Sequence, residues 1–260
     1  MVVDADRLHA ALCDAWSQAC PALEGGRFER RPGYAWTICP PVPVPAFNSV
    51  WPEDDACASL LGEAVAEIAA LGLPTAVMTW RGRTPACEEA AESMGLIASE
   101  ELPAMAVTLE ELGEVDVPDF EALTVATADE LAQALAVAAE GFGVPPDLFA
   151  PLYDESFARL DGFHYYLGRA GGVDVTTAAG YTVGGAVGIF NVATPEQHRG
   201  HGYGAAITAK AVSDGFHAGA EFAWLQSSPI GHSVYRRIGF RDVGTYVLYT
   251  APEAAVDIPI

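Results

Sequence analysis

Residues 189–206 have the sequence IFNVATPEQHRGHGYGAA, and this stretch decides the fold. Its first part, Ile189–Thr194, is apolar and rich in β-branched residues, which predicts a strand that Pro195 ends. A glycine-rich turn, Arg199–Gly204, follows and leads into a helical run, Ala205–Ala218. A strand, a glycine turn and a helix N-terminus place unpaired N–H groups beside a backbone that a ligand can approach closely, which indicates an anion site.

The glycine turn alone admits three interpretations. The first is a tight turn without a ligand. The second is a dinucleotide site, because Gly200, Gly202 and Ala205 fit the pattern G-x-G-x-x-G/A. That pattern belongs in an opening βαβ unit with an acid at the end of the next strand, whereas the nearest acid here, Glu221, precedes that strand. The third interpretation depends on the sequence that follows.

Downstream, the sequence predicts a strand over Phe222–Ser228, a short helix from Gly231, and a last strand over Val243–Thr250. The helix is ended by the pair Gly239-Phe240, since glycine commonly supplies the left-handed residue after a helix. Tyr235 lies on this helix, four residues before that glycine.

With these segments the chain resembles the GNAT acyltransferase superfamily. The acyl-CoA loop of that family has the form R/Q-x-x-G-x-G/A, which Arg199, Gly202 and Gly204 match. A second register, starting at Gln197, also fits, but we prefer the first because Gly204 runs straight into the helix. The second signature of the family is a helical tyrosine followed closely by Gly-Phe, and Tyr235 matches it in the right order and at the right separation.

The resemblance implies an N-acetyltransferase that moves an acetyl group from acetyl-CoA to a primary amine of a small molecule, by direct attack in a ternary complex. The strand edge of Val192, Ala193 and Thr194 would pair with the pantetheine amides, and the Val192 N–H would polarise the thioester carbonyl. Tyr235 would protonate or hydrogen-bond the leaving sulfur. The pyrophosphate would lie on the loop residues Arg199, Gly200, His201, Gly202, Tyr203, Gly204 and Ala205.

Other residues near these motifs have alternative roles. Ser228 stands where many members of the family have an asparagine, and its hydroxyl would contact pantetheine. His201 is expected to face solvent. His232 lies one turn before Tyr235 and could assist it, although a structural role is the simpler expectation. Glu140 is the candidate general base, with a solvated carboxylate as the alternative, and a water relay would make a base unnecessary.

Composition excludes several classes of function. The chain has 260 residues, 51% hydrophobic and 18% charged, with a formal net charge of −22, which would repel nucleic acid and an anionic membrane. It contains no apolar run long enough for a transmembrane helix, and MVVDADRLHA lacks the pattern of a signal peptide, so we expect a cytoplasmic protein. The five cysteines form no C-x-x-C pair, which predicts buried reduced thiols and supports no metal site. A homodimer is left open.

The order of elements gives the fold class. From about Ala122 to Thr250 the sequence predicts strand, two helices, three antiparallel strands, helix, strand, helix and strand. Its first helix begins with a capping box at Thr127, and the second runs from Pro145 to about Leu160. This is the order of a complete GNAT domain. We therefore expect an α+β (mixed α/β) protein of GNAT fold, with a central mixed, mostly antiparallel sheet flanked by helices.

The sequence also predicts a tandem organisation. Residues 1–115 would form a degenerate GNAT-like domain, residues 116–121 a linker, and residues 122–260 the catalytic domain. The strand–helix–strand–helix–strand order over 34–109 parallels the end of the second half. Where the loop should be, the first half has Pro45–Trp51, without glycine. We expect this half not to bind acyl-CoA, to pack against the active half and to shape the acceptor pocket.

A rival class is a non-catalytic acyl-CoA-binding or regulatory protein of the same fold, because a fold does not fix a function. Tyr235 and the intact loop favour the enzyme. The sequence does not identify the acceptor: antibiotic amines, polyamines, amino acids and protein N-termini all stay open.

Overall fold

The computed structural model describes residues 2–254, which divide into two compact units. Of the described residues, the first unit contains 2–15 and Ala104–Val243. The second contains Trp16–Pro103 and 244–254. None of the helices within the described residues combines the length and the apolar content needed to cross a bilayer.

Helices and strands are interspersed along the chain. Within residues 2–254 the α-helices are α1 (Ala5–Ala22), α2 (Leu61–Ala69), α3 (Pro85–Ser93), α4 (Ala128–Phe142), α5 (Pro146–Phe149), α6 (Glu155–Ala158), α7 (Tyr203–His217) and α8 (Pro229–Arg237). The strands are β1 (Arg27–Arg31), β2 (Tyr34–Ile38), β3 (Ser49–Pro52), β4 (Ala76–Trp80), β5 (Ile97–Thr108), β6 (Phe120–Thr124), β7 (Phe163–Ala170), β8 (Val173–Val183), β9 (Ala186–Ala193), β10 (Phe222–Gln226) and β11 (Arg241–Thr250).

The sheet of the first unit has the strand order β5-β10-β9-β8-β7-β6. The pairs from β6 to β9 are antiparallel, β9 and β10 are parallel, and β10 and β5 are antiparallel. Helices α4 and α7 both pack against β7, β8 and β9. Gly215 brings α7 close to β9, because a Cβ at this position would lie only 2.6 Å from the Val187 Cβ. The mixed, mostly antiparallel sheet flanked by helices is therefore confirmed.

The sheet of the second unit has the order β1-β2-β3-β4-β11. Its β3 and β4 are parallel and its other neighbours are antiparallel. The core contains buried side chains from β2, α2 and α3, among them Trp36, Ile68 and Cys87.

Each sheet takes its last strand from the other half of the sequence. Residues Ala104–Thr108 of β5 pair with β10 in the first unit, and Tyr246–Thr250 of β11 pair with β4 in the second. The chain passes between the units near residues 15, 103 and 243, whereas the sequence places the linker at 116–121. The division differs because long-range strand pairing, and not chain order, decides which residues share a core.

The structure confirms the predicted capping box and differs from two other predictions about helices and strands. The side chain of Thr127 accepts from the Glu130 N–H in the predicted capping box of α4. The single helix expected over 145–160 is wrong: α5, a 3-10 turn over Ala150–Tyr153 and α6 replace it. Pro151 lacks the N–H that a continuing helix needs, and Asp154 is extended. The short buried strand β3, directly after a proline-rich segment, was not predicted.

Candidate active site

The parallel pair β9 and β10 separates partway along its length. Their pairing runs from Ala186–Phe222 to Gly188–Trp224, while β10 continues beside β5 as far as Gln226. Among the described residues, no strand pairs with β9 on that side beyond Gly188. Unpaired backbone groups on a strand edge can pair with an extended ligand as an added strand would. The open edge contains the expected donor-binding residues Val192 and Ala193.

A bulge reshapes this edge. Thr177 pairs with Ala193 and Ala179 pairs with Phe190, so two residues of β9, Asn191 and Val192, lie opposite one residue of β8. Asn191 has φ +52°, in the left-handed region that asparagine tolerates better than most residues. Such a bulge locally redirects the strand and its side chains. Val192, the expected donor to the thioester carbonyl, therefore lies in distorted backbone.

Threonine hydroxyls hold the end of β9. The buried Thr176 Oγ1 donates to the Ala193 carbonyl at 2.8 Å and lies 2.9 Å from Thr194 Oγ1. Glycine at 204 leaves room there, since a Cβ would lie 3.5 Å from Thr194 Oγ1. The two hydroxyls therefore hold the end of β9 against β8, and the first turn of α7 lies beside it.

The glycine turn ends directly in the N-terminus of α7. Gly202 is the N-cap residue, with φ +86°, and no side chain caps the helix. The first amide bonded inside the helix is that of Ala206, which donates to the Gly202 carbonyl at 3.0 Å. The amides of Tyr203, Gly204 and Ala205 belong to the first turn, whose N–H groups lack intrahelical acceptors. This geometry suits a phosphate or pyrophosphate group.

Arg199 braces the loop through backbone carbonyls. Its Nε donates to the Thr194 carbonyl at 3.0 Å, and its Nη2 donates to the Gly141 carbonyl at 3.0 Å. Gln197 Nε2 donates to Glu140 Oε1 at 2.8 Å, so Glu140, the candidate base, is exposed and already bonded. The arginine ties the loop to the end of β9 and to the C-terminus of α4.

The loop also supports a stack of three rings, which we call the aromatic stack: His201, Tyr203 and Phe120. The His201 and Tyr203 centroids are 5.4 Å apart, and those of Tyr203 and Phe120 are 5.5 Å apart, with nearly parallel planes. Nδ1 of His201 lies 2.9 Å from the Arg199 carbonyl. His201 is exposed, as expected.

Tyr235 lies in the core of the first unit and is 8% exposed. It belongs to a cluster that includes Ile189, Leu225 and Phe240, against which Val192 packs. Burial raises the pKa of Tyr235 above its usual 10.0. The phenol is therefore protonated at neutral pH and is available as a hydrogen-bond donor or acid.

Ser228 and His232 have partners within α8 and its surroundings. Ser228 is the N-cap residue, and its hydroxyl accepts from the Gly231 N–H at 3.3 Å. Its contact with pantetheine stays a prediction. His232 Nε2 lies 2.6 Å from Asp242 Oδ1, and Arg236 donates to Asp242 Oδ2 at 3.0 Å. These contacts favour a structural role for His232.

Sequence reasoning missed three residues at this site. Thr176 anchors β9, Asn191 forms the bulge, and Gly231 packs on the ring of Tyr235. Only Asn191 carried a signal, its tolerance of a left-handed backbone, and nothing in the surrounding strand pattern points to it. Within the described part of the chain, no group of three or more His, Cys, Asp or Glu side chains is placed to hold a metal ion.

Comparison with solved structures identifies the fold. No protein-family profile matches the chain, and no curated protein matches it. The chain is similar to a GCN5-related N-acetyltransferase from Kribbella flavida, at 22% identity and a TM-score of 0.73, covering 94% of this chain and 95% of that one. It is also similar to a GCN5-related N-acetyltransferase from Sphaerobacter thermophilus, at 16% identity and a TM-score of 0.61, with 93% and 90% covered. A tandem GNAT protein from the clavulanic acid biosynthesis pathway aligns at 12% identity and a TM-score of 0.57, with 96% of each chain covered. The chain therefore has the GNAT fold of the GCN5-related N-acetyltransferases, over nearly its whole length.

Proposed function

We propose that this protein is an N-acetyltransferase that transfers an acetyl group from acetyl-CoA to a primary amine of a small molecule. One observation carries the proposal: the open edge of β9 leads within a few residues to the uncapped N-terminus of α7. The first feature suits the amides of a pantetheine arm, and the second suits a pyrophosphate. Both groups occur in coenzyme A, in the order in which the chain presents their binding elements.

The residues of the first unit supply the steps of acetyl transfer. The amides of the glycine turn and of α7 bind the pyrophosphate, and Arg199 keeps the loop in place through the Thr194 and Gly141 carbonyls. The Val192 N–H polarises the thioester carbonyl as the amine attacks. Tyr235 donates its proton to the departing sulfur. The phenol carries its proton at neutral pH. After the transfer it regains a proton from water, which balances the proton that the amine loses.

The amine must lose a proton during the transfer, and the structure favours no carboxylate for that task. Glu140 is bonded to Gln197 and exposed. We propose that water accepts the proton directly. A direct attack in a ternary complex then needs no covalent acetyl-enzyme.

The alternative is a non-catalytic acyl-CoA-binding or regulatory protein. Tyr235 favours the enzyme, because its buried, protonated phenol shares a core cluster with Ile189 on β9. The deciding experiment combines calorimetry with coenzyme A and detection of free thiol during turnover of acetyl-CoA with a panel of amines. Binding with amine-dependent thiol release supports the enzyme, binding alone supports the alternative, and no binding rejects both.

The remaining expectations follow from this proposal. The acceptor is a small-molecule amine, and nucleic acid and membranes are not partners, since the net charge of −22 disfavours both. We propose a cytoplasmic location, with a homodimer left open. The second unit is proposed not to bind acyl-CoA, because its corresponding segment forms a 3-10 turn over Pro45–Phe47 followed by β3, without glycine.

A further inference from the structure

The aromatic stack ends in a ring that is open to solvent. Phe120 and Tyr203 are half-buried, whereas His201 is exposed. Tyr203 stacks with each of the other two rings, and the planes are inclined by only 16° to Phe120 and 11° to His201. A flat ring that is accessible in this way can stack with a further flat ring from a ligand.

The stack is held at both ends. Phe120 lies over Gly168 of β7, where a Cβ would come within 2.6 Å of the phenyl ring, so the close approach requires a glycine. At the other end, His201 Nδ1 lies 2.9 Å from the Arg199 carbonyl, which fixes the direction of the imidazole. The rings therefore have one position before a ligand arrives, and a ligand that stacks on them loses little affinity to their ordering.

The exposed ring lies beside the proposed pyrophosphate site. His201 and Tyr203 flank Gly202, the N-cap residue of α7, whose first-turn amides are proposed to bind the pyrophosphate. In coenzyme A a single ribose joins that pyrophosphate to adenine. A base attached there therefore reaches the His201 ring without leaving the loop.

The loop offers the adenosine end of coenzyme A little positive charge. Arg199 is the only arginine or lysine in Arg199–Gly204, and its guanidinium donates to the Thr194 and Gly141 carbonyls. Lys210, the only lysine of the chain, pairs with Asp214. The net charge of −22 also disfavours a general attraction of phosphate groups. An uncharged contact with the base is what the stack can supply instead.

We propose that the aromatic stack binds the adenine base of coenzyme A against the exposed ring of His201, and that the protein recognises the adenosine end by stacking and not through the 3′-phosphate. This inference rests on the function proposed above. Adenine presents a π face to the imidazole, and the stacking of a base on an aromatic side chain contributes substantially to affinity without any charge.

The test measures the Kd of coenzyme A and of 3′-dephospho-coenzyme A by calorimetry with the full-length protein. The wild type should bind the two with similar affinity, because the 3′-phosphate adds little. His201→Ala should raise both Kd values about 10-fold, the usual scale for the loss of one stacked base. His201→Phe keeps a flat ring and should retain the affinity of the wild type for both probes.

Two comparisons keep the test specific. His217→Ala is the matched control, since His217 is also an exposed histidine and lies at the other end of α7; both Kd values should be unchanged. His201→Phe separates stacking from support of the loop, because phenylalanine cannot make the contact between Nδ1 and the Arg199 carbonyl. A loss caused by a distorted loop would persist in that variant.

The outcomes separate the two proposals. Unchanged Kd values in His201→Ala overturn the inference, as does a His201→Phe variant that binds as weakly as His201→Ala. A loss seen with coenzyme A and not with the dephospho form assigns His201 to the 3′-phosphate and overturns it too, as does a wild type that binds coenzyme A alone. A wild type that binds neither probe overturns the proposed function, and this inference with it.

Discussion

The ring of Tyr235 rests on the backbone of Gly231, one turn earlier in α8. A Cβ at Gly231 would lie 2.7 Å from Cε2 and 3.3 Å from Cζ of that ring. The first distance is shorter than real Cβ atoms show. The position of the phenol therefore depends on a residue without a side chain.

Gly231→Ala should displace the phenol without removing it. We expect kcat to fall roughly 10-fold or more, because misplacing a catalytic group is costly, while the Kd of acetyl-CoA stays the same. Steady-state kinetics and calorimetry measure the two quantities. Gly62→Ala is the matched control in α2, where a Cβ would meet only Met94 Sδ at 3.6 Å. Equal kcat values for the two variants would contradict the role of this contact.

Tyr235→Phe should lower kcat by roughly 10- to 1000-fold with little change in acetyl-CoA affinity, given the usual contribution of a general acid. Since burial raises the pKa of Tyr235 above 10.0, the phenol stays protonated through neutral pH, and its loss of a proton should limit the rate only in strong alkali. A pH–rate profile of the wild type checks this direction. Tyr249→Phe, in β11 of the second unit, should leave kcat unchanged; an unaffected Tyr235→Phe enzyme would remove this tyrosine from the mechanism.

Gly202→Ala should weaken coenzyme A binding at least about 10-fold. The left-handed backbone of Gly202 strains any other residue, by roughly 1–2 kcal/mol, and the added Cβ would lie 3.2 Å from Val117 Cγ2. Gly219→Ala is the control, since Gly219 is also left-handed, follows the other end of α7 and has open space around it. Both variants should lose stability, and only the first should lose affinity by calorimetry. Equal affinities would place the coenzyme elsewhere.

The variant Arg199→Ala tests whether Arg199 supports the loop or binds the phosphates of coenzyme A directly. Its guanidinium donates to the Thr194 and Gly141 carbonyls, so we expect the variant to have a lower melting temperature and a higher Kd for coenzyme A. The salt dependence of that Kd should match the wild type, because the lost contacts are with neutral carbonyls. A clearly reduced salt dependence would instead indicate direct contact with the phosphates.

The buried thiols of Cys57 and Cys87 should make the protein less stable in alkali. Burial raises the pKa of Cys57 to about 12 and that of Cys87 to about 11, from 9.0. Above about pH 9 the unfolded chain loses these protons and the folded one keeps them, so the free energy of unfolding falls as pH rises.

Denaturant titrations between pH 8 and 11 measure this decline. That range extends from below the pKa of an unfolded thiol to the raised pKa of Cys87. The double variant Cys57→Ala with Cys87→Ala should show a flatter decline. Slopes are compared and not absolute stabilities, because the cavities left by the alanines lower stability at every pH. Parallel slopes would contradict the raised pKa values.

The sequence predicted those parts of the fold that depend on local patterns. The capping box at Thr127 was predicted from a few neighbouring residues and is present in α4, since its hydrogen bonds join only residues close in sequence. The glycine turn and α7 follow from local chemistry in the same way. The helix over 145–160 failed because the interruption at Pro151 was not weighed.

Features set by distant pairing could not be predicted in this way. The bulge at Asn191 exists only because β8 pairs with both sides of it, and the open edge of β9 arises from how far β10 follows β5. At the site, the sequence identified the loop and Tyr235, whose roles stay predictions. It could not show that Thr176 anchors the end of β9, because that contact joins two strands that are distant in sequence.

The pairing of β5 with β10 and of β11 with β4 makes each sheet depend on a strand from the other half of the sequence. During synthesis the second unit emerges almost whole, yet its β4 has to wait for β11 before that edge is covered. A cut at residues 116–121 would leave each fragment with a strand whose sheet lies in the other fragment. The unpaired strand edges that result would promote aggregation. Recombination of the two halves with foreign partners would meet the same obstacle, so they are expected to be inherited together.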